Sequence, residues 1–169
     1  MGPDVELRRG SAEDLAALEP LWVSVHHRHA QAMPELAPYV DDTQTWKARS
    51  ALYADLLAKP DTVLLLAHAG DSLIGYGLAH VMPARDTWVA DTWQTSSRIG
   101  EIESLAVLPE YRGRGVGTRL LDALETELAA AGVHDLILGV LPGNTDAIRL
   151  YERRGYRPTW TYLSRLDGR

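Results

Sequence analysis

Apolar residues recur along the chain with two different periods, one typical of strands and the other typical of helices. Residues 5–9 alternate apolar and polar, and residues 11–14 then supply a helix-capping signature before apolar residues at helical spacing. Two apolar runs joined by the turn Gly70-Asp71 predict an antiparallel hairpin. The elements predicted for the first half are a strand at 5–9, a helix that ends before Met33, a helix at 46–58, strands at 62–69 and 73–82, and a loop at 83–98.

The second half alternates more regularly between strands and helices. A strand at 99–108 leads into a helix at 116–131, which Gly132 ends. The elements predicted after this helix are a strand at 135–141, a helix at 144–154 and a strand at 156–165. The order β-α-α-β-β-β-α-β-α-β contains no linker or repeat. It predicts a single α/β (α+β) domain over residues 1–169, with a mixed sheet and helices on both faces.

Composition narrows the class of protein. The chain has 169 residues and no Cys, which excludes a disulfide framework, a thiolate metal site and a Cys nucleophile. The longest purely apolar run, residues 63–67, is far shorter than the roughly 20 residues that span a bilayer. Residues 1–4 lack a signal-peptide pattern. We therefore expect a cytoplasmic protein without membrane partners.

The formal net charge of −6 is unevenly distributed. Residues 1–111 contain 8 Lys or Arg against 16 Asp or Glu, a charge of −8, whereas residues 112–169 contain 9 against 7, a charge of +2. An acidic total argues against nucleic acid as a partner, because duplex binding requires a row of cations. The basic C-terminal third suggests a site for a small phosphorylated ligand, and the alternative is a solvent-exposed face without a ligand.

A turn between a strand and a helix carries the candidate phosphate site. Its residues are Arg112, Gly113, Arg114, Gly115 and Gly117, so that glycines stand at alternate positions. Glycines let the backbone approach a ligand, and successive N–H groups at a helix N-terminus attract an anion. The turn matches neither the Rossmann fingerprint nor the Walker loop. Taken alone, it is also compatible with a plain tight loop.

The context of this turn is more specific. The segments 103–117, 140–144 and 147–156 together resemble the GNAT superfamily of acetyl coenzyme A-dependent N-acetyltransferases. Arg112-x-x-Gly115-x-Gly117 matches the pyrophosphate loop of that family, and Asn144 and Tyr151 match the Asn and Tyr of its closing helix. The resemblance covers residues 99–165, the expected cofactor-binding and catalytic core. Residues 1–98 show only the element order and are expected to form the variable, acceptor-side half.

The resemblance implies a mostly antiparallel sheet in which the strands at 99–108 and 135–141 splay apart around the acetyl thioester. Acetyl-CoA is then the co-substrate. Its pantetheine arm is expected along the exposed backbone before the turn, and its pyrophosphate on the amides of the turn. The cofactor-binding residues implied are Leu105, Ala106, Val107, Arg112, Gly113, Arg114, Gly115, Val116, Gly117, Thr118 and Asn144. A main-chain N–H near Leu105 is expected to contact the thioester oxygen.

The chemistry requires a base, because an alkylamine is almost fully protonated at neutral pH. Glu101 and Glu103 lie two apart in a strand, so both are expected on one face. By the resemblance Glu103 is favoured as the base and Glu101 is the reserve or an acceptor contact; the alternative is that both are solvated. Tyr151 matches the family's acid, which protonates the leaving thiolate, and its alternative is a core residue.

Histidines and tryptophans outside the motif carry weaker signals. We assign no metal site to the histidine cluster, and the helix that carries it is expected either to line an acceptor cleft or to be a plain surface or core helix. Trp46 is expected in the core, whereas Trp88 and Trp93 are compatible with an acceptor-pocket wall or with the core. The histidines concerned are His26, His27 and His29.

Together these inferences predict an acetyltransferase. It moves an acetyl group from acetyl-CoA directly to an amine of a small molecule or peptide, with both substrates bound in a ternary complex. The acidic first 111 residues suggest a cationic acceptor. Two rival functions remain, a transferase for another acyl-CoA or an alcohol acceptor and a coenzyme A-binding sensor without turnover. The resemblance also implies a homodimer formed through the last strand, which carries Trp160 and Tyr162.

Overall fold

Five strands form one sheet in the order β1-β2-β3-β4-β5 in the computed structural model, which describes residues 4–168. The strands are β1 Val5–Arg9, β2 Val63–Ala69, β3 Ser72–Pro83, β4 Arg98–Val107 and β5 Asp135–Leu138. The helices are α1 Glu19–Ala32, α2 Asp42–Leu57, α3 Val116–Ala130 and α4 Thr145–Arg153. Within the described residues, each helix is too short or too polar to cross a membrane.

The sheet is antiparallel except at its last pair. Strands β1 to β4 pair antiparallel, and β5 runs parallel to β4 over a short stretch that begins at Ile99↔Asp135 and ends at Ile102↔Leu138. Strand β4 continues to Val107 without β5 beside it. The predicted splay of these two strands is therefore present, and β5 ends three residues earlier than its apolar run predicts.

A β-bulge interrupts β4 at the start of the splay. Leu78 pairs with Ser104, and the next residue, Ala79, pairs with Ile102, so Glu103 is the extra residue. A bulge of this kind re-aims a side chain and locally breaks the alternation of faces. As a result, Glu103 and Ser104 both contact α2, through Arg49 and Tyr53.

Helices cover both faces of the sheet and define two cores, as predicted. One core lies under α3 and includes Ile74, Ile102, Leu120, Leu121, Leu124 and Leu128. The other lies under α1 and α2 and includes Leu18, Leu21, Tyr53, Leu64, Leu66, Tyr76 and Leu78. Burial of this apolar surface is the main favourable contribution to folding. The two cores place β4 between the α3 side and the α1/α2 side.

Helix boundaries follow capping residues more than apolar periodicity. The Ser11 capping box is present, but it begins a 3-10 segment, Ala12–Leu18, which leads into α1. Helix α2 begins four residues before its predicted start, because the Asp41 side chain accepts a hydrogen bond from the Gln44 N–H at 2.7 Å. Gly132, with a φ of 76°, ends α3 as expected.

The predicted strand at 156–165 is wrong. The structure has no helix or strand in this segment, and the side chains of Tyr162 and Leu163 point to solvent, at 76% and 94% exposure. Alternating apolar residues form a strand only where a partner ladder and a buried face are available, and this segment has neither within residues 4–168. The expectation that the segment joins two copies of the chain stays a prediction.

Candidate active site

The turn between β4 and α3 presents a row of free backbone donors. Gly113 and Gly115 adopt φ values of 71° and 80°, and Gly115 is the residue that precedes α3. The first N–H bond of the helix runs from Arg119 to the Gly115 carbonyl at 3.0 Å. Within residues 4–168, the N–H groups of residues 113–118 have no protein acceptor. These donors and the positive end of the helix dipole together suit an anion.

Arg112 fixes this turn to the end of β4. Its Nε donates to the Val107 carbonyl at 3.0 Å, and burial, followed by the nearby charge of Arg28, lowers the pKa of Arg112. A Cβ on Gly117 would lie 3.8 Å from the Val107 side chain and 4.0 Å from that of Leu105. The first turn of α3 therefore lies directly against the part of β4 that β5 leaves uncovered.

The two predicted carboxylates meet on the α1/α2 side of β4, around a histidine of β3. His80 pairs directly with Glu101 across the strands. The His80 Nε2 lies 3.3 Å from a Glu101 carboxylate oxygen and 3.7 Å from Glu103 Oε2. These contacts confirm the sequence prediction that both carboxylates share a face.

Arg49 of α2 holds the other oxygen of Glu103. Its Nη1 donates to Glu103 Oε1 at 2.7 Å, and its guanidinium lies 3.9 Å from the centre of the Trp22 ring. Trp22 is fixed in turn, since its Nε1 donates to Thr45 Oγ1 at 3.0 Å. The stacked ring and the carboxylate together orient the guanidinium at the bulge.

The ion-pair cluster His80, Glu101, Glu103 and Arg49 is partly buried, and this sets the protonation of His80. Burial alone would lower the pKa of His80, but the hydrogen bonds and charges of Glu101 and Glu103 outweigh it and raise this pKa to about 9. His80 is thus a cation at neutral pH. The candidate ligand atoms of the histidine and the two carboxylates lie within 4.8 Å of one another, a spacing that suits a metal ion. The Arg49 guanidinium on Glu103 disfavours a further cation there.

The stability of the protein is expected to depend on pH through His80. Its pKa is higher in the folded state than the ordinary 6.5, so its stabilising effect is complete below about pH 6.5 and is lost as the pH rises through about 9. We expect the difference in free energy of unfolding between wild type and His80→Gln to fall by roughly 1–3 kcal/mol over this range. Urea unfolding at pH 6 to 10 measures it, and a difference that does not change with pH would contradict this assignment.

Asn144 precedes α4 as its N-cap, and Tyr151 lies within this helix and packs against the core under α3. Burial raises the pKa of Tyr151, whose ring packs 5.9 Å from that of Tyr156. Asn144 caps α4 through Ala147 and also accepts from Arg28 Nε of α1, both at 3.4 Å. Arg28 also donates to Asp146 at 3.0 Å. Helix α1 is therefore tied to the segment that carries the predicted cofactor residue.

The histidine cluster of α1 has structural partners. His26 contacts the Val40 carbonyl at 2.8 Å, and His27 contacts Asp42 at 2.8 Å. The ring of His29 packs edge-on against Trp22, and burial lowers the pKa of His29. The contacts of His26 and His27 join α1 to the start of α2, and that of His29 lies within α1.

The three tryptophans considered in the sequence lie in two different places. Trp46 packs against the core under α1 and α2, as predicted. Trp88 and Trp93 are in edge-on contact with each other and with Trp160, at centroid distances of 6.2 to 6.5 Å. This aromatic cluster joins the 83–98 loop to the C-terminal segment, and it involves none of the residues at the bulge.

Three residues of the site were missed by the sequence reasoning, namely Trp22, Arg49 and His80. A histidine within the otherwise apolar run 73–82 was a usable signal for His80. The contacts of Trp22 and Arg49 depend on how α1 and α2 pack on the sheet, which no local pattern indicates.

Comparison with known proteins connects this geometry to a family. An IAA acetyltransferase of Azospirillum brasilense is 29% identical over 126 residues, which are 75% of this chain and 74% of that protein. A thialysine N-epsilon-acetyltransferase of Mus musculus is 30% identical over 51% of this chain and 45% of its own length. Only part of the longer relatives is therefore matched.

Solved structures show the same fold over nearly the whole chain. The aminoglycoside N-acetyltransferase AAC(6')-Iy in complex with CoA has a TM-score of 0.68 at 21% identity, with 99% of this chain and 97% of that chain covered. A predicted acetyltransferase of Clostridium acetobutylicum with acetyl-CoA has a TM-score of 0.68 at 22% identity, with 95% and 96% covered. The Acetyltransferase (GNAT) family profile matches residues 22–156, which is more than half of the chain. The chain therefore belongs to the GNAT family of acetyltransferases.

Proposed function

We propose that this protein transfers the acetyl group of acetyl-CoA directly to the amine of a small molecule or peptide, with both substrates bound together. The observation that carries the proposal is the juxtaposition at β4. The unpaired N–H groups of residues 113–118 lie at one end of its uncovered edge, and the Glu103 carboxylate lies at the other. An anion site and a proton acceptor are thus joined by one open strand.

The residues present fit coenzyme A. The free amides of the turn suit a pyrophosphate, and the positive φ values of Gly113 and Gly115 leave room for it, since a Cβ on either would meet no atom within 4 Å. The backbone of Leu105 to Val107, which β5 does not pair and of which the Val107 carbonyl already accepts from Arg112, would hold the pantetheine arm, and the amide of Asn144 would contact it. When bound, acetyl-CoA supplies an acetyl group activated as a thioester.

Glu103 is proposed as the base. Arg49 holds its Oε1 at 2.7 Å, and Oε2, which lies 3.7 Å from His80 Nε2, is proposed to accept the proton of the attacking amine, directly or through a water molecule. Glu101, whose Oε2 lies 3.3 Å from the same His80 nitrogen, is the reserve base or a contact for the acceptor. The amine nitrogen bonds to the carbonyl carbon of the thioester, and the carbon–sulfur bond then breaks to release the thiolate of coenzyme A.

Tyr151 is proposed to protonate the departing sulfur, and its replacement tests this role. Burial keeps the pKa of Tyr151 above its ordinary value of 10, so its hydroxyl remains a donor up to at least that pH. A thiolate with a pKa near 8.5 leaves without much help, so we expect Tyr151→Phe to lower kcat by about tenfold to hundredfold with little change in KM. Steady-state kinetics measures both. The exposed Tyr162→Phe is the control, and equal kcat values for the two variants would contradict the role.

The identities of the acceptor and of the acyl donor are to be determined by experiment. The names of the relatives, an IAA acetyltransferase and a thialysine N-epsilon-acetyltransferase, favour a small-molecule acceptor, which the acidic first 111 residues predict to be cationic before it loses its proton. Free-thiol release with acetyl-CoA and a diverse amine library tests the proposal. Because the chain has no Cys, thiol reagents detect only the product.

The result expected is thiol release with at least one amine and a thermal shift on adding acetyl-CoA. Release with a longer acyl-CoA or with alcohols alone would favour the rival transferase. Binding of acetyl-CoA without release from any acceptor would favour the sensor. Absence of binding would refute the cofactor assignment itself.

A further inference from the structure

The charges at the bulge are balanced. Two carboxylates, Glu101 and Glu103, contact two cations, His80 and Arg49, and the four side chains retain between 13% and 30% of their exposed area. Each carboxylate thus already has a positive partner fixed by the fold. An acceptor with several positive charges would meet the imidazolium and the guanidinium as well as the carboxylates, and it would be repelled by both cations.

Arg49 uses only part of its hydrogen-bonding capacity in this cluster. Only Nη1 is engaged, with Glu103, while the ring of Trp22 supports the plane of the guanidinium. Within the described part of the chain, Nε and Nη2 have no acceptor. These two nitrogens carry the parallel N–H groups of the guanidinium, which is the pair that binds a carboxylate through both oxygens.

The same cluster offers acceptors beside these donors. Glu103 Oε2 lies 3.7 Å from His80 Nε2, so it keeps room for a further donor, and Glu101 Oε2 lies 3.3 Å from the same nitrogen. Carboxylate oxygens that can accept a further hydrogen bond and the unused edge of a guanidinium therefore lie together in one partly buried cluster. Such an arrangement complements a molecule that carries an ammonium and a carboxylate close together.

We propose that the acceptor is a zwitterionic amino acid or a close analogue, whose carboxylate binds Nε and Nη2 of Arg49 while its amine faces Glu103 and Glu101. This inference rests on the proposed acetyltransferase function and names its substrate class. Arg49 then determines specificity, because an acceptor without the carboxylate leaves two donors of this partly buried guanidinium without a charged partner.

Matched triplets of acceptors test the inference. Each triplet consists of an amino acid, its carboxamide and the amine that lacks the carboxyl group, and each is assayed by thiol release with acetyl-CoA. For wild type we expect kcat/KM to be about tenfold to hundredfold higher for the amino acid than for its carboxamide. An equal or higher value for the carboxamide in every triplet overturns the inference and leaves the acetyltransferase proposal intact.

Variants of α2 assign the effect to one side chain. Arg49→Gln is expected to bring the ratio of amino acid to carboxamide close to one, and Arg49→Lys to keep part of it. The ratio is compared within each variant, so any general damage to Glu103 cancels. Lys47→Gln, which removes an exposed cation from the same helix, is the matched control and should keep the wild-type ratio. Loss of activity in Arg49→Gln by the same factor for both acceptors overturns the role of Arg49.

A binding measurement covers the case in which no acceptor turns over. The wild-type protein saturated with coenzyme A is heated with each member of the triplets, and the shift in Tm is recorded. A larger shift for the amino acid than for its carboxamide supports the carboxylate site even without turnover, which would itself refute the acetyltransferase proposal. Equal shifts, or none, overturn the carboxylate site.

Discussion

Replacing Glu103 with Gln is expected to lower kcat by about 10² to 10⁴-fold, the usual contribution of a positioned general base. The amide keeps the size of the side chain, and its oxygen can still accept from Arg49 Nη1. It cannot take up the proton of the amine. The measurement is kcat for thiol release from pH 6 to 10, where activity of the variant should rise with pH as free amine replaces ammonium.

Two matched variants make this result specific. Glu6→Gln removes an exposed carboxylate of β1, remote from the bulge, and should leave kcat unchanged. Glu101→Gln should have the smaller effect of the two site variants, because Glu101 is proposed as the reserve. If Glu101→Gln abolishes activity while Glu103→Gln stays within threefold of wild type, the assignment of the base is reversed.

Gly115→Glu is expected to weaken acetyl-CoA binding by roughly 100-fold or more. A carboxylate at the free amides would face the pyrophosphate, and two like charges about 5 Å apart repel by about 3 kcal/mol at a protein surface. The backbone contributes as well, since a φ of 80° is unfavourable for any residue with a Cβ. Isothermal titration with acetyl-CoA measures the affinity directly.

Gly70 provides a control for backbone strain. It has a φ of 58° in the turn between β2 and β3, and a Cβ there would also meet no atom within 4 Å. Gly70→Glu should therefore lose similar stability while keeping acetyl-CoA affinity. Equal loss of affinity in both variants would show that strain, rather than the anion site, causes the effect.

The parts of the fold that local sequence determines were predicted well. The hairpin of β2 and β3 follows from a tight turn between apolar runs, and α3 follows from a clear apolar face. The start of α2 was missed because its first turn is polar and depends on the Asp41 cap. The strand predicted at 156–165 failed because strand formation requires a partner, which periodicity alone does not reveal.

The candidate site also has parts that local sequence indicates and parts that depend on tertiary structure. The glycine turn could be found because its signal is contiguous in sequence, and the pair Glu101 and Glu103 because alternation puts them on one face. The partners of these carboxylates come from β3 and α2. His80 reaches Glu101 through strand register, and Arg49 reaches Glu103 through helix packing. Both are consequences of tertiary structure.

The hydrogen-bonded ladder between β3 and β4 does not require the bulged residue Glu103. Ile102 and Ser104 already pair with consecutive residues of β3, so a chain that lacked residue 103 would form an uninterrupted ladder with every other side chain on its present face. The shorter strand would be the more regular one. The protein therefore retains one residue that its sheet does not need, and a deletion variant would separate the stability of the sheet from the activity of the enzyme.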